Sequence, residues 1–414
     1  MPSLYRYHGT ASTSIFITIM KITHCSLRLF LPASLLGFAI CASVPLLSWK
    51  KQIITKDFIS EGVAVSDMDG DGVSDLIAGH LWFKGPDFTT AIQYRPGKAH
   101  SIDGYIEDSF INWADDLNGD KKNDLLMVGW PGKTISLYLN PGKIGEEWKS
   151  HKIITEAATE SPIWIDLTGD KKNEIVCMQQ GKFGYYSADW ADVTKPWTFT
   201  AISEKRSGSP YVHGLGAGDL NSDGKPDIIE KDGWFEQPAT LPGTWAYHKF
   251  SQQCRGGSQM LVHDYDKDGD NDVVTSLDGH GYGLGWYQND GKEKSFTFSY
   301  HEILPADAKK KGANDLQFSQ LHSLAMADID KDGRMDFVTG KRYWAHGKND
   351  PGSLDPALTV VFYNRQEGDS IKWESSIIDQ DGGVGCDVVA TDLNNDGKVD
   401  VAVGSKKGVF VIRQ

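Results

Sequence analysis

A ten-residue acidic motif returns seven times along this chain, and a repeat of that strength sets the terms for any fold. The first copy, "DMDGDGVSDL", begins at Asp67; the others begin at Asp116, Asp166, Asp219, Asp264, Asp328 and Asp392, at intervals of 45 to 64 residues. The oxygen-bearing positions are first, third, fifth and ninth. They are Asp67, Asp69, Asp71 and Asp75 in the first copy, Asp116, Asn118, Asp120 and Asp124 in the second, and Asp166, Asp170 and Glu174 around Thr168 in the third. Asp219, Asn221, Asp223 and Asp227 follow, then Asp264, Asp266, Asp268 and Asp272. The last two copies supply Asp328, Asp330, Asp332 and Asp336, and Asp392, Asn394, Asp396 and Asp400. Carboxylates crowded this closely repel one another unless a cation lies among them.

The donor spacing specifies the cation. Side-chain oxygens at those four positions, with a backbone carbonyl at the seventh, give hard donors from one tight loop and suit Ca2+ better than a transition metal. An EF-hand does not fit, because the twelfth position of the first copy is Ala78 and the flanks "GVAV" and "DLIAG" are strand-like. Gly72, Gly224, Gly269, Gly333 and Gly397 stand sixth, where a left-handed turn is expected; Lys121 and Lys171 replace them in copies two and three. With Thr168 and Glu174 as well, the third loop is expected to be the poorest metal site. Up to seven structural Ca2+ sites are expected.

The residues between loops read as further strands. An aromatic stretch such as "ISLYLN" or "LGWYQN" follows each loop, and then a stretch of the form "WKSHKII", "WTFTAI", "WAYHKF", "FSYHEI" or "KWESSII". Four strands in about 50 residues make one propeller blade. The stretch before each loop ("GLGAG", "SLAMA", "GVAVS") is apolar on both parities, as a strand buried on both faces must be. Copy seven stops at "GVFVI", one strand short, while "WKKQII" (Trp49 to Ile54) stands unpaired before copy one. The expected fold is therefore all-β: a seven-bladed β-propeller over 49–414 with four-stranded blades, its last blade closed by the N-terminal strand.

Ahead of it, residues 1–43 read as a secretion signal, with Lys21 and Arg28 before the apolar run Leu29 to Ala42 and Met20 as an alternative start. The run is short for a membrane span. Cys41 offers lipid attachment only against a poor processing context, so a membrane link is expected solely if that anchor exists. A secreted, periplasmic or cell-surface monomer is expected. Cys177, Cys254 and Cys386 are an odd number and define no disulfide framework. A formal charge of −14 argues against nucleic acid and anionic membrane as partners.

Loops of this form at blade spacing resemble the FG-GAP or VCBS repeat family, whose blades are similar to the calcium-bearing ones of integrin α propellers. The resemblance covers Trp49 to Gln414 and implies Ca2+ at the loop positions named above. The stretches "HGLGAGDLNSDGKPDI", "HGYGLGWYQ" and "FSQLHSLAMADIDKDGRMDFVTGKRYWAHG" look more narrowly like a bacterial secreted branch similar to the propeller part of aldos-2-ulose dehydratases. That enzyme's cupin-like part has no counterpart here, and a shared fold does not transfer an activity.

If the loops share one face, chemistry belongs on the other. Six residues before each first aspartate stand Glu61, Phe110, Glu160, His213, Ser258, His322 and Cys386, expected to ring the mouth of the central channel. The ends of the second strands add His80, Trp130, Gln179, Asp232, His280, Lys341, Arg342 and Lys406. His213, His280, His322, Glu61, Glu160, Lys341 and Arg342 are the candidate catalytic set: imidazole or carboxylate to take a proton α to a carbonyl, and a cation to steady the enolate. A single histidine at a strand start is more often a hydrogen-bonded turn residue; the grouping carries the idea. No short histidine spacing marks a zinc site. Lys309 to Lys311 read as a solvated loop. Trp130, Trp234, Tyr343 and Trp344 suit sugar stacking. Two readings follow: a carbon–oxygen lyase acting on keto-sugars or uronates, or a non-catalytic propeller that binds carbohydrate or a cell-surface protein.

Overall fold

The computed structural model describes residues 47–250, 254–291, 297–368 and 370–414; the expected signal at 1–43 lies outside them. The acidic repeat organises the strands directly. In all seven copies the ninth residue opens a buried strand: Asp75–Ala78, Asp124–Val128, Glu174–Gln179, Asp227–Glu230, Asp272–Ser276, Asp336–Lys341 and Asp400–Ser405. Each of these pairs antiparallel with the strand before its loop and with the strand after it. Among the described residues the only helical element is a 3-10 turn at Ala313–Asp315, and no helix is long and apolar enough to cross a membrane.

The strands form five four-stranded sheets and one seven-stranded sheet. The long sheet departs from the expected plan of separate four-stranded units. Its strand Lys149–Ile165 runs unbroken for 17 residues. Residues 149–157 pair with Lys133–Leu139, and residues 158–165 pair with Glu174–Gln179. No glycine interrupts this stretch, so one strand serves as the outer member of one unit and the inner member of the next. The outer strands elsewhere lie where the aromatic stretches placed them, at Thr198–Ala201, Ala246–Lys249, Phe298–Leu304 and Ser370–Asp379.

Most of the core lies between sheets, and one cluster fills the fold between the two halves of the seven-stranded sheet. Ala64, Ile77 and Trp82 of the first sheet pack on Leu125, Met127 and Trp148 of the next. The pattern repeats along the chain until Leu393, Ala402, Val409 and Val411 of the last sheet pack on Val63, Leu76 and Phe83 of the first. A sheet covered on both faces explains the apolar runs on both parities. The N-terminal strand Lys50–Thr55 pairs antiparallel with Gly408–Arg413, as expected from the copy that ends short. Lys51 fastens it, with its Nζ 2.9 Å from Asp379 and 4.0 Å from the centre of the Phe410 ring.

That pairing covers an edge that would otherwise expose free backbone amides and carbonyls. Deleting residues 49–54 should produce aggregation or a large fall in melting temperature, read by size-exclusion chromatography and thermal unfolding. A truncated chain that stays monomeric with unchanged melting would contradict the closing role.

Candidate functional site

The acidic loops share one conformation. Their fourth residues are left-handed in every copy, from φ 59° at Ser222 and Asn395 to 78° at Gly70 and Gly169. Their sixth residues are too, from 69° at Lys121 and Lys171 to 101° at Gly269. Lysine thus adopts the turn that glycine makes freely, at about 1 kcal/mol of strain. The first aspartate pulls the loop round: its carboxylate accepts the sixth amide at 2.7–3.0 Å in all seven copies. The fifth-position carboxylate accepts the seventh amide at 2.8–3.0 Å, again in all seven.

The ninth carboxylate does something that spacing alone did not reveal. Asp336 accepts the amides of Ile329 at 2.9 Å and Asn364 at 2.8 Å, tying the start of its loop to the third strand. Asp75, Asp227 and Asp272 make the same pair of bonds in their own sheets. Burial pushes Asp336 up to about 7 and Asp272 to about 8, with these amides pulling the other way.

Side-chain oxygens still gather at the loop tips. Asp67, Asp69 and Asp71 lie within 4.8 Å of one another, as do Asp264, Asp266 and Asp268, and Asp328, Asp330 and Asp332. Such all-oxygen sets fit Ca2+. Protein cations also reach them: Lys84 bonds Asp69 and Asp71, and Arg365 Nη1 stands 3.2 Å from Asp332.

The second cluster is of different chemistry. Glu160 Oε2 lies 3.0 Å from His322 Nε2 and 3.5 Å from His213 Nε2, and the two nitrogens are 3.2 Å apart. His280 brings a ring nitrogen within 4.8 Å of all three atoms. Arg342 Nη1 stands 3.0 Å from His322 Nε2, while its other nitrogens hold Glu61 at 3.2 and 3.4 Å. Cys386 Sγ is 3.8 Å from Glu61, and the Phe110 ring lies under the Arg342 guanidinium. Six of the seven residues expected to ring the mouth therefore form one contiguous cluster. Ser258 instead bonds Ser276 at 2.9 Å.

Hydrogen bonding alone leaves this cluster in conflict. As a donor, His322 Nε2 opposes the Arg342 N–H; as an acceptor, it opposes the lone pairs of Glu160. The three distances among Glu160 Oε2, His213 Nε2 and His322 Nε2 admit one shared ion, with Arg342 Nη1 then left 3.6 Å from Glu160 Oε2. A triangle with those sides has all three corners about 1.9 Å from one point, close to the ~2.0–2.1 Å of a zinc–nitrogen bond. Burial, then Arg342, push His322 well below the usual imidazole range, and burial, then His213, push His280 to about 4. Neutral imidazoles are the form that binds metal. Burial works to raise Glu160, but bonds from His213 and His322 outweigh it and hold the carboxyl ionised. Three imidazoles and one carboxylate are a donor set that fits a divalent transition metal. Their offsets from the acidic loops placed these four residues together, but no short histidine spacing marked them as a metal set, because each histidine comes from a different sheet.

A cavity of about 400 Å3 opens over the cluster, walled by Tyr105, Trp130 and Tyr211 on one side and by His280, Arg342 and His346 on the other. Tyr105, Tyr211 and His346 were not singled out from sequence, although Tyr211 stands two residues before His213. His346 and the largely buried Asp350 lie in the long connection that widens one repeat interval to 64 residues. Their side chains pair, Nδ1 to Oδ1, at 3.0 Å. Lys341 does not reach the cavity. It is buried, with Nζ bonded to Ser319 Oγ at 3.1 Å and to the Gly352 carbonyl, so it anchors that connection. Burial pushes it down to about 8. Trp234 is 1% exposed and stacks on His248, which removes it as a sugar platform. Tyr343 and Trp344 stack on each other outside the cavity lining.

The family model for FG-GAP-like repeats matches residues 116–177 and 264–339, so the chain carries these repeats. No curated protein matches it in sequence. The narrower likeness to aldos-2-ulose dehydratases therefore rests on the quoted stretches alone. Among solved structures, the BP39L lectin of Burkholderia pseudomallei aligns with a TM-score of 0.50 at 14% identity over 86% of this chain and 96% of that one. An Agrocybe aegerita lectin described as recognising non-reducing terminal N-acetylglucosamine gives 0.46 at 15% identity, covering 85% and 84%. At this distance the first likeness shows the fold alone.

The double role of the ninth aspartate is open to test. Asp336→Ala strands two amides and should cost at least about 2 kcal/mol in denaturant unfolding with chelator present. Asp332→Ala, at the loop tip, should cost under about 1 kcal/mol in the same buffer. Equal losses would contradict the assignment.

Proposed function

We propose that this protein is an exported, calcium-stabilised β-propeller of seven blades that takes carbohydrate into the imidazole-lined mouth and acts there as a carbon–oxygen lyase on keto-sugars or uronates. The blade count treats strand Lys149–Ile165 as shared by two blades; seven loops of one conformation support it, as do six clusters of apolar residues between sheets and a seventh between the two halves of the seven-stranded sheet.

The observation that carries the reading is the convergence of Glu160, His213, His280, His322 and Arg342 beneath an aromatic wall. Glu160 and the three histidines would hold a divalent transition metal, which when bound polarises a carbonyl oxygen. Arg342, fixed by Glu61, points a fully buried cation at the charge that develops on that oxygen. His346 is oriented as the base: its Nδ1 engages Asp350, leaving Nε2 to take the proton α to the carbonyl. The electrons of that C–H bond form the new double bond, the β C–O bond breaks, and the leaving oxygen departs with the proton that His346 took, which returns the imidazole to its neutral form. Trp130, Tyr105 and Tyr211 offer faces against which a sugar ring can lie. The competing reading, binding without turnover, draws on the fold shared with a lectin.

A screen of keto-sugars and uronate oligosaccharides for a new ultraviolet-absorbing product separates the two. With the substrate it identifies, His322→Ala and His346→Ala should each lower turnover at least about tenfold, while Lys309→Ala in the solvated loop changes nothing. Sugar binding without product in the wild type would favour the binding module. Histidine variants that behave like Lys309→Ala would move the site elsewhere.

Calcium in the loops would bind the folded chain alone and stabilise it by mass action. Chelation should lower the melting temperature clearly, and calcium should restore it. Purified protein free of calcium, with melting indifferent to chelator, would contradict this.

A further inference from the structure

A second cavity, of about 650 Å3, adjoins the mouth and shares Tyr211 and His213 with it. Its wall carries four cations and three carboxylates, and most of them already have partners. Arg206 pairs with Glu230 at 3.2 Å and lies 3.9 Å from the Tyr247 ring centre. Lys231 stands 4.0 Å from Asp232, and Asp278 accepts the His280 amide at 2.9 Å. Lys205 and Arg255 are left, exposed and without an ion pair among the described residues. The Asp278 carboxylate has no ion pair among the described residues either, so the cavity wall keeps one net positive charge in a chain of formal charge −14.

The backbone holds one of them there at a cost. Arg255 is left-handed at φ 61°, which costs a non-glycine residue about 1 kcal/mol. The two residues after it cannot shift to relieve it. A Cβ on Gly256 would come 2.8 Å from Gly214 Cα, and one on Gly257 would come 2.4 Å from the Gly279 nitrogen. The chain is wedged between neighbouring turns at the point where Arg255 lines the cavity. Guanidinium matches a carboxylate in a planar, two-point geometry.

The mouth also continues the other way. A cavity of about 500 Å3 shares Tyr105 and Trp130 with it. The rim residues Tyr105 and Tyr211 are 48% and 49% exposed, and both rings pack edge-on against Trp130 between them. We infer that the mouth is the middle of a longer groove, and that Lys205 and Arg255 bind a carboxylate on a neighbouring sugar of a uronate oligosaccharide. The inference rests on the carbohydrate reading above and narrows it to an acidic chain of at least about three sugars, with aromatic platforms beside the central ring and cations along one arm.

Calorimetry on the whole protein tests it, using oligogalacturonates and alginate oligomers of one to four sugars, with neutral galactose oligomers of equal length. The wild type should bind one of the acidic trimers at least tenfold tighter than its monomer and than the neutral trimer. Added salt should weaken the acidic trimer selectively. Lys205→Ala with Arg255→Gly should lose at least tenfold for that trimer and keep wild-type affinity for the monomer. Glycine relieves the strained turn, so unchanged or raised melting would show that the fold survives. A wild type that gains nothing from chain length or charge, or a double variant that binds the acidic trimer as well as the wild type, overturns the groove while leaving a sugar site at the mouth intact. A wild type that binds neither acidic nor neutral sugars of any length overturns the carbohydrate reading itself.

Discussion

Everything on this scaffold depends on aspartates that accept backbone amides. A loop that turns through two left-handed residues leaves several N–H groups with no strand partner, and unpaired amides are costly wherever water is excluded. The first and fifth carboxylates take the amides of the loop tip, and the ninth takes one amide from the loop start and one from the third strand. Each sheet is thereby fastened at one end by side chains from a single short motif. The same motif presents its remaining oxygens outward, where a hard cation can meet them. The hydrogen bonding alone holds the loop, which explains how the third copy keeps the shared conformation with Thr168 in place of an acid.

Fastening one end of every sheet frees the other. Inner strands that start at equivalent positions bring residues six before each loop towards one another, whatever their chemistry. The sequence varies that position from Phe110 to Glu160 to His322 because the fold asks nothing particular of it. This freedom allows residues far apart in the chain to share one buried cluster. Its polar groups are mutually dependent: Glu61 holds Arg342, Arg342 abuts His322, and His322 and His213 meet on Glu160.

Much of this was legible because the repeat fixes register. Counting six residues back from each first aspartate located Glu61, Glu160, His213 and His322, and the contacts among them follow that count. The strand ends were less regular. Arg342 reached the cluster while Lys341, its neighbour, turned to bond the Gly352 carbonyl, since adjacent strand residues face opposite ways. Trp234 is buried because its strand is covered on both faces, with Trp234 packed on one side and Phe235 on the other. His346 and Asp350 stayed hidden in a connection with no periodicity to place it. The unbroken strand Lys149–Ile165 was missed for a related reason: local composition marks where strands exist, while the point at which one changes partners depends on tertiary packing.

The central claim is that four side chains from separate sheets act together as one polar centre, with chemistry distinct from that of the acidic loops. The most direct measurement is equilibrium dialysis of the full protein against zinc in excess calcium, with both metals quantified by mass spectrometry. The account predicts about one tightly held zinc per chain in the wild type, lost in Glu160→Gln and in His213→Ala, with calcium content unchanged in both. Zinc uptake that is the same in the wild type and both variants would contradict it.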